Sequence, residues 1–247
     1  MPAKELRGQV AILTGAAQGL GRAIARAYGQ RGMKVALIDI LADKLEATAD
    51  EVRSLGGEAL ALPTDLSVAD ATQRAVEEAI AKLGAPRVLV HNAALLKQRS
   101  MLEISLSQWR LELDIILQAA FILSKGVWPA MIDAGGGSIV YVSSGSGIKG
   151  FPAEVAYCPG KHGQEGLMKV LAIEGQPYNI AVNTITPGVA IHTPMSEENY
   201  TEEHKRDWVD PALLAPAFVY LAGVGVAEVT GERLNAWELA QRVGSEG

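Results

Sequence analysis

A glycine-punctuated segment near the amino terminus constrains the fold of this chain more than any other feature. Residues 10–21 read VAILTGAAQGLG, an apolar run that stops at Gly15 and reopens as a helix-like pattern at Gly19. A strand that meets a helix in this way directs backbone N–H groups and the positive end of the helix dipole into one small volume. Gly15 permits the tight turn, Gly19 lets a phosphate approach the main chain, and Gly21 lets the helix pack closely on the strand. Glycine triplets also occur in plain turns, so the placement between strand and helix carries the prediction of a dinucleotide site, comprising Gly15, Gln18, Gly19, Leu20 and Gly21.

Composition limits the kinds of protein that this chain can be. The 247 residues contain no linker rich in Pro, Gly or Ser, so we predict one domain over residues 1–247. The hydrophobic share is 49%, but the apolar runs are too short to cross a bilayer, which argues against a membrane protein. The net charge of −6, with 22 basic against 28 acidic side chains, argues against nucleic acid as a partner. Residues 1–7 lack the apolar stretch of a secretory signal, and the single cysteine, Cys158, fits a reducing compartment, so we expect a cytoplasmic protein.

Strand-like and helix-like patterns alternate along the chain. After the first strand and helix, strands are expected at residues 34–39, 58–65, 87–92, 138–143, 180–186 and 233–237, with helices at residues 42–55, 107–131, 156–174 and 211–221 and one that ends near residue 84. Ser67 and Asp70 have the spacing of a capping box for that last helix, and residues 189–209 are an irregular acidic stretch. Such alternation predicts an α/β fold, a doubly wound parallel sheet with helices on both faces, whose ligands lie at the carboxyl ends of the strands.

Acidic residues end the second and third predicted strands. Asp39 lies about twenty residues after the glycine turn, where a carboxylate can accept hydrogen bonds from the adenosine ribose hydroxyls and repel a 2′-phosphate. Neither Ile40 nor the glycine turn supplies a base for that phosphate, so the sequence favours NAD over NADP. The alternative is a turn aspartate that caps the next helix. Asp65, followed by Leu66, could bond the adenine amino group or equally form a local turn.

Tyr157 and Lys161 lie four residues apart, hence on one face of a predicted helix. An isolated phenol has a pKa of roughly 10, and a neighbouring ammonium together with a cationic nicotinamide favours the phenolate. Tyr157 could then exchange a proton with a substrate oxygen near neutral pH. Ser144 follows the fifth predicted strand, where its hydroxyl could hold the same oxygen. The alternative is an ordinary helix pair and an ordinary turn serine, because Tyr-x-x-x-Lys alone is a weak signal.

Together these motifs resemble those of the classical short-chain dehydrogenases/reductases, in order and spacing, over nearly the whole chain. The matching residues are Thr14, Gly15, Gly19, Gly21, Asp65, Asn92, Ala93, Ser144, Tyr157, Lys161, Asn183, Pro187 and Gly188. The resemblance implies a single Rossmann-like domain of seven parallel strands, NAD(P) as hydride carrier, and a catalytic group of Ser144, Tyr157 and Lys161.

The same resemblance assigns further roles. Lys161 would also bind the nicotinamide ribose, and the cofactor would be bordered by Asn92, Ala93, Pro187, Gly188, Val189 and Thr193. It also implies a homotetramer or homodimer, packed through the long helices that follow strands four and five.

Several positions depart from the family pattern. Members of the family usually have an asparagine on the long helix, seven residues after a tryptophan. The main chain of that asparagine holds a water in the proton relay from the lysine. In this chain the position is Ile116. We therefore expect slower or differently relayed proton transfer. The usual Asn-Asn-Ala-Gly reads HNAA, from His91 to Ala94. Pro159 inside Tyr-x-x-x-Lys lacks an N–H, which is tolerable only in the first turn of a helix.

A lid and a small pocket complete the predicted site. Residues 188–210 are polar and start at a glycine, which suits a lid that closes over cofactor and substrate. The substrate pocket is expected from Ala94, Ser146, Ile148, Phe151 and the loop after Gly188, a mostly small and apolar set that suits a sugar, polyol or cyclic alcohol. The four histidines show no metal-ligand spacing, so no metal is expected.

The sequence thus predicts an NAD-dependent oxidoreductase that interconverts a secondary alcohol and a ketone. Ile116 and Ala94 keep open the alternative of a family member that binds the dinucleotide with little turnover and acts as a sensor or scaffold. Epimerisation or dehydration on the same fold is disfavoured, because the serine, tyrosine and lysine are all present.

Overall fold

The glycine-punctuated segment folds as a strand, a turn and a helix. The computed structural model of the chain describes residues 6–201 and 203–245, with only the backbone of His204. β1 (Val10–Thr14) is buried along its whole length, and α1 (Gly19–Gln30) begins directly after the turn. Residues 1–5, part of the stretch considered for a secretory signal, and Glu202 of the predicted lid lie outside the described residues.

The other elements alternate along the chain. The strands are β2 (Lys34–Asp39), β3 (Glu58–Pro63), β4 (Pro86–His91), β5 (Gly137–Val142), β6 (Ile180–Thr186) and β7 (Arg233–Asn235). The helices are α2 (Ala42–Ser54), α3 (Ala69–Leu83), α4 (Leu106–Leu113), α5 (Ala119–Asp133), α6 (Tyr157–Gly175), α7 (Pro194–Asn199), α8 (Ala215–Gly223) and α9 (Ala236–Gly244). The predicted alternation of strands and helices is confirmed. Helices connect the successive parallel strands of the sheet.

Seven strands of the described residues form one parallel sheet in the order β3-β2-β1-β4-β5-β6-β7. Thr14 of β1 lies opposite Ile38 of β2 on one side and opposite His91 of β4 on the other. The strand order therefore reverses between β1 and β4, which opens a crevice outside the carboxyl ends of these strands. The predicted doubly wound parallel sheet is confirmed.

Helices cover both faces of the sheet because alternate side chains of each strand point to opposite faces. Leu13 of β1 belongs to the core beneath α1, α8 and α9, whereas its neighbour Ile12 packs on the other face with α3 and α5. Both side chains are fully buried, and burying a side chain of this size stabilises a fold by about 2 kcal/mol. Two apolar layers thus hold the carboxyl ends of the strands in a fixed row.

A π turn at Asp114–Gln118 joins α4 to α5, where the sequence predicts one helix over residues 107–131. Such turns widen the backbone spiral and are frequent at functional sites. Within the part of the chain that the structure describes, Leu106–Asp133 is the one helix long and apolar enough to cross a membrane, with 28 residues and a mean hydropathy of 1.6. Its inner face packs on the sheet through Ala120, Leu123 and Val127, so its apolar composition serves the core.

The predicted capping box at the start of α3 does not form. The helix begins after Val68, whose backbone takes the capping position without a side-chain hydrogen bond. Ser67 instead donates its hydroxyl to Asp65 Oδ1 at 2.7 Å and its N–H to the same atom at 2.9 Å. The carboxylate two residues earlier forms a local turn and competes with the cap.

Two carboxyl-terminal predictions are corrected as well. The last strand ends at Asn235, whose side-chain oxygen accepts the N–H of Glu238 at 3.2 Å and so begins α9, a helix that the sequence analysis missed. The stretch at residues 189–209 is not wholly irregular, because α7 forms within it behind a Thr193 cap.

Pro159 is the third residue of α6 and so lies in the first turn of the helix. Backbone N–H groups in the first turn have no acceptor within the helix, so the N–H that proline lacks costs no hydrogen bond there.

Candidate active site

A cavity of about 1000 Å³ lies at the carboxyl ends of the parallel strands. Most of the predicted cofactor and catalytic residues line it, together with one predicted substrate residue. They are Gly15, Gln18, Gly19, Leu20, Asp39, Ile40, Asp65, Leu66, Asn92, Ala93, Ala94, Ser144, Tyr157, Lys161, Pro187, Gly188, Val189 and Thr193. These residues are spread over nearly 180 positions of the chain. The fold brings them together because parallel strands all end at one edge of the sheet.

The glycine turn forms a cradle that no other residue would permit. Gly15 and Gly19 have φ angles of 64° and 56°, in the left-handed region that L-residues rarely adopt. A Cβ on Gly21 would lie 1.9 Å from the carbonyl oxygen of Gly15, so Gly21 supports the turn from behind and does not line the cavity. The first turn of α1 contains no acidic residue, which leaves its N-terminus suited to an anion. This cradle fits a dinucleotide pyrophosphate.

Asn92 ties the glycine turn to the next strand of the sheet. Its Nδ2 donates to the carbonyl oxygens of Thr14 and Gly15 at 3.2 and 3.0 Å, and its backbone N–H donates to Thr14 Oγ1 at 3.1 Å. A Cβ on Gly15 would lie only 2.7 Å from this amide nitrogen. The space left by the missing Cβ of Gly15 is therefore occupied by the Asn92 amide, which holds the turn in place.

Asp39 combines the two roles that the sequence leaves open. Its Oδ2 accepts the N–H of Ala17 and its Oδ1 the N–H of Leu41, each at 3.0 Å, so the carboxylate braces the turn before α2. It also lines the cavity, and a carboxylate retains acceptor sites beyond these two bonds. Asp65 likewise forms a local turn with Ser67 and lines the cavity.

Ser144, Tyr157 and Lys161 meet at the other end of the cavity. Ser144 follows β5, Tyr157 is the first residue of α6, and the Nζ of Lys161 lies 5.5 Å from the centre of the tyrosine ring. Burial raises the pKa of Tyr157 above its ordinary value, the charges of Tyr200 and Glu154 act in the same direction, and a hydrogen bond with Ser144 opposes them. The protein alone therefore does not lower the phenol pKa, contrary to what the lysine alone suggests, because desolvation of the phenolate dominates.

Lys161 is held firmly in this buried corner. Its Nζ donates to the carbonyl oxygen of Val142 at 2.6 Å and to Oε1 of Gln164 at 3.0 Å. Burial lowers the pKa of Lys161 to about 7, although the charge of Glu165 opposes the shift. Near neutral pH, Lys161 therefore exchanges readily between its charged and neutral forms. A pKa shift of this kind is typical of functional sites.

A buried polar network occupies the place of the missing helix asparagine. The carbonyl oxygen of Ile116, in the π turn, accepts the Nε2 hydrogen of Gln164 at 2.9 Å and lies 3.1 Å from Nε2 of His91. Because a carbonyl only accepts, Nε2 of His91 carries the hydrogen and Nδ1 accepts the Thr14 hydroxyl at 2.8 Å. Desolvation lowers the pKa of His91 to about 3, so the ring is neutral. The histidine therefore links β1, β4 and the π turn.

Glu165 and Arg233 hold the main chain beside Ser144, a role that the sequence analysis missed. Glu165 accepts the hydroxyls of Ser143 and Thr184 at 2.5 and 2.8 Å. Arg233 of β7 bonds Glu165 Oε1 at 3.1 Å and donates to the carbonyl oxygen of Ser144 at 2.8 Å. The only available signal was the polar pair at residues 164–165, one helical turn after Lys161, on a face that the fold buries.

Three predicted substrate-pocket residues lie elsewhere. Ser146 is buried behind Ser144 and donates its hydroxyl to Glu154 at 2.6 Å. Ile148 and Phe151 are 55% and 46% exposed and do not line the cavity, because the chain turns outward after a short 3₁₀ turn at Gly145–Gly147. Ala94 alone of the four faces the cavity.

The predicted lid supplies the missing wall. Met195, Tyr200 and Trp208 line the cavity, and a Cβ on Gly19 would lie 3.2 Å from Cγ2 of Thr193. Thr193 thus lies against the glycine turn, at the end of the cavity where the pyrophosphate cradle is. Among the described residues, no group of His, Cys, Asp and Glu could hold a metal ion.

The chain is similar to known proteins over most of its length. A model of the short chain dehydrogenase family matches residues 9–204. D-threitol dehydrogenase of Mycolicibacterium smegmatis is 36% identical over 186 residues, 75% of this chain and 72% of the relative. Cyclohexanol dehydrogenase of Acinetobacter sp. is 34% identical over 195 residues, 78% of this chain and 77% of the relative.

Solved structures share the whole fold. Carveol dehydrogenase of Mycobacterium avium, in complex with NAD, superimposes with a TM-score of 0.84 at 28% identity over 94% of this chain and 96% of the other. A second structure is a protein from Beutenbergia cavernae described as an NAD(P) dependent gluconate 5-dehydrogenase, with NADP bound at low occupancy. It superimposes with a TM-score of 0.87 at 30% identity over 95% of this chain and 98% of the other.

Fold and site together define a Rossmann-like oxidoreductase that binds a nicotinamide dinucleotide. The chain belongs to the short-chain dehydrogenase family, and the predicted membership in its classical branch is confirmed. Its chemistry is oxidoreduction between alcohols and ketones.

Proposed function

We propose that this protein is an NAD-dependent dehydrogenase that interconverts a secondary alcohol and a ketone with Tyr157 as the acid and base. The observation that carries the proposal is the layout of one cavity, with the glycine cradle at one end and Ser144, Tyr157 and Lys161 at the other. A dinucleotide that rests its pyrophosphate on the cradle would present its reactive ring to those three side chains. The protein supplies placement and charge, and the bound nicotinamide supplies the hydride chemistry.

Each of the three residues has a separate task in this proposal. The Ser144 hydroxyl holds the substrate oxygen, and the Tyr157 phenolate takes the proton from that oxygen when the alcohol is oxidised. Lys161 would anchor the nicotinamide ribose and, when protonated, would offer its positive charge to the phenolate. Because burial raises the pKa of Tyr157 and lowers that of Lys161, the phenolate forms readily only when a cationic ring also lies beside it.

NAD is the preferred cofactor in this proposal. The carboxylate of Asp39 lies at the rim of the cavity, where it would accept ribose hydroxyls and repel a 2′-phosphate. Of the described residues that line the cavity, Lys161 is the only basic one. Lys44 lies just outside and donates to Gln18 Oε1 at 3.0 Å, so it is the base that NADP binding would have to recruit. Similar solved structures contain NAD or NADP, which makes this preference worth a direct test.

The substrate class follows from the cavity wall and from the relatives. Ala94, Leu96, Met195 and Trp208 give the substrate end a largely apolar wall, and no basic cluster there demands a phosphorylated or acidic substrate. Relatives are named for D-threitol and cyclohexanol, a polyol and a cyclic alcohol. We therefore place the substrate among sugars, polyols and cyclic alcohols of modest size.

We further propose a cytoplasmic homotetramer or homodimer whose subunit is one domain over residues 1–247, with a lid at residues 188–210. Large apolar side chains remain exposed on the long helices, among them Phe121 of α5, 51% exposed, and Ile173 of α6, 70% exposed. Neighbouring apolar patches of this kind mark protein interfaces. Light scattering coupled to gel filtration tests this, and a monomer at micromolar concentration would contradict it.

A dinucleotide-binding scaffold without turnover is the second candidate. The observation in its favour is that the carbonyl oxygen of Ile116, where the usual helix-side water would bind, already accepts the Gln164 amide and lies 3.1 Å from His91 Nε2.

A cofactor and substrate screen separates the two candidates. NADH formation from D-threitol and cyclohexanol, with NAD and NADP compared side by side, is measured for the wild type and for Tyr157→Phe. We expect turnover with NAD in the wild type, loss of turnover in the variant, and NADH affinity unchanged within about twofold. Binding of NADH without turnover of any alcohol or ketone would establish the scaffold instead.

A further inference from the structure

A line of hydrogen-bonding groups leads from the Tyr157 phenol away from the cofactor cavity. The Ser144 hydroxyl hydrogen bonds with the phenol, and its Oγ lies 3.3 Å from the Ser146 Oγ, to which it donates. Ser146 donates in turn to Oε2 of Glu154 at 2.6 Å. Ser146 and Glu154 are both buried. A long hydrogen bond of this kind often tightens only when substrate is bound, and the hydrogens of the Ser144 and Ser146 hydroxyls point toward the carboxylate.

The opposite side of the phenol offers no comparable path. Lys161 donates to Oε1 of Gln164, and the amide of Gln164 donates to the carbonyl oxygen of Ile116. The Nε2 of His91 lies 3.1 Å from this carbonyl oxygen and 3.1 Å from that of Ile115, so its single hydrogen is shared between the two acceptors. Because an amide N–H does not give up its proton near neutral pH, the network behind Lys161 holds the lysine but does not carry a proton onward.

The backbone before Glu154 is shaped to turn its carboxylate inward. Ala153 has a φ of 61°, a left-handed conformation that is uncommon for alanine and marks local strain. The N–H of Arg99 fixes this residue by donating to its carbonyl oxygen at 2.7 Å. Cys158, one turn along α6, donates its thiol to the same Oε2 of Glu154 at 3.3 Å. Strain of this kind persists where the surroundings enforce it and is concentrated at functional sites.

The exit from Glu154 lies close to solvent. Glu154 is itself 6% exposed, and its backbone N–H donates to the carbonyl oxygen of Phe151 at 3.3 Å. Phe151 belongs to the exposed segment at residues 148–152, part of which was expected to form the substrate pocket. The buried carboxylate of Glu154 therefore lies next to an exposed segment of the chain, in place of the predicted pocket wall.

We propose that Ser146 and Glu154 form the path by which the proton collected by Tyr157 leaves the active site. The inference rests on the proposed function. In alcohol oxidation a bound nicotinamide would accept the hydride of the substrate carbon while the Tyr157 phenolate takes the proton of the substrate oxygen, which leaves a ketone and a neutral phenol. The phenol proton then passes to Ser144 as the Ser144 proton passes to Ser146 and the Ser146 proton to Glu154. Phenolate and both hydroxyls are restored, and the carboxylic acid releases the proton to water; ketone reduction runs the same steps backward.

Four variants test this path, among them Glu154→Ala, which opens space for rescue by formate. Glu154→Gln keeps the side-chain volume and an oxygen that accepts from Ser146 but cannot take up a proton, and Ser146→Ala breaks the line at its middle. Glu174→Gln, on the exposed end of α6, makes the same charge change away from the path and serves as the matched control. Oxidation of D-threitol and cyclohexanol with NAD is followed by NADH absorbance and, in single turnovers, by a pH-indicator dye.

In both path variants we expect kcat to fall by about 10- to 100-fold while KM and the Kd of NADH stay within about twofold. Proton release should lag behind hydride transfer, the solvent deuterium isotope effect on kcat should rise, and formate should restore activity to Glu154→Ala. The control should match the wild type.

Wild-type kcat and simultaneous proton release in both path variants would overturn the relay and leave the dehydrogenase intact. A fall in kcat with equal loss of NADH binding and no rescue by formate would also overturn it, because that pattern marks a structural role. No turnover of any alcohol or ketone by the wild type would instead refute the proposed function, and the relay with it.

Discussion

Replacing Lys161 by methionine tests the electrostatics of the site through the stability of the fold. Lys161 is almost fully buried, and burial lowers its pKa from 10.5 to about 7. Between these two values the unfolded chain binds a proton that the folded chain does not, so this group makes wild-type stability rise with pH. Above pH 10.5 the lysine is neutral in both states. Below pH 7 it is charged in both, and the full cost of the buried charge is present, ~5 kcal/mol at about 1.4 kcal/mol for each pKa unit.

Methionine removes that cost at every pH but introduces another. The carbonyl oxygen of Val142 and Oε1 of Gln164 lose their donor, which costs about 1–3 kcal/mol for each buried acceptor. Because the second cost does not vary with pH, the informative quantity is how the stability difference between variant and wild type changes with pH. We expect the difference to move by ~2 kcal/mol in favour of the wild type between about pH 7 and pH 9.

Urea unfolding at a fixed protein concentration, measured at several pH values across this range, gives the free energy of unfolding of each protein. Lys169→Met, on the exposed face of the same helix, controls for the loss of one positive charge. If the difference between Lys161→Met and the wild type stays constant with pH, the lysine is not desolvated as described, and the reasoning about its charge at the site is wrong.

Three further substitutions probe other parts of the site. Asp39→Ala removes the carboxylate at the ribose end, and we expect the ratio of kcat/KM with NAD to that with NADP to fall by about 10-fold or more; an unchanged ratio would place the selectivity elsewhere. Gly21→Ala puts a methyl group 1.9 Å from the carbonyl oxygen of Gly15, so NADH affinity measured by fluorescence should drop by at least about tenfold, whereas normal affinity would mean that the turn tolerates opening. Arg233→Leu releases the carbonyl oxygen of Ser144, and kcat should fall by about tenfold with NADH affinity retained; equal loss of both would indicate general unfolding of the sheet edge.

Residues at both ends of the cavity can be recognised from local sequence patterns. The glycine turn, Asp39, Ser144 and Tyr157 each stand at the end of a strand or the start of a helix, and spacing along the chain is enough to recognise them. Once strands and helices alternate, the parallel sheet must bring these ends to one edge. For that reason the fold and most of the residues that line the cavity follow from the sequence.

Residues between regular elements were harder to place. Ser146, Ile148 and Phe151 follow a strand end, which suggested a pocket wall, but a short 3₁₀ turn and the left-handed Ala153 send this segment outward. The course of an irregular segment depends on its tertiary hydrogen bonds, here the donation from Arg99 across to Ala153, and no periodicity encodes such a contact.

Period and spacing are properties of the chain, and they were enough to predict the architecture, the glycine turn and the three residues proposed for the reactive end. What replaces the missing helix asparagine became visible only in the folded protein. His91 and Gln164 meet at the carbonyl oxygen of Ile116 because β4, α6 and the π turn pack together, and Ser146 meets Glu154 because a strained loop folds back. Hydrogen bonds between residues distant in the chain depend on packing, and packing is fixed only when all the layers are assembled.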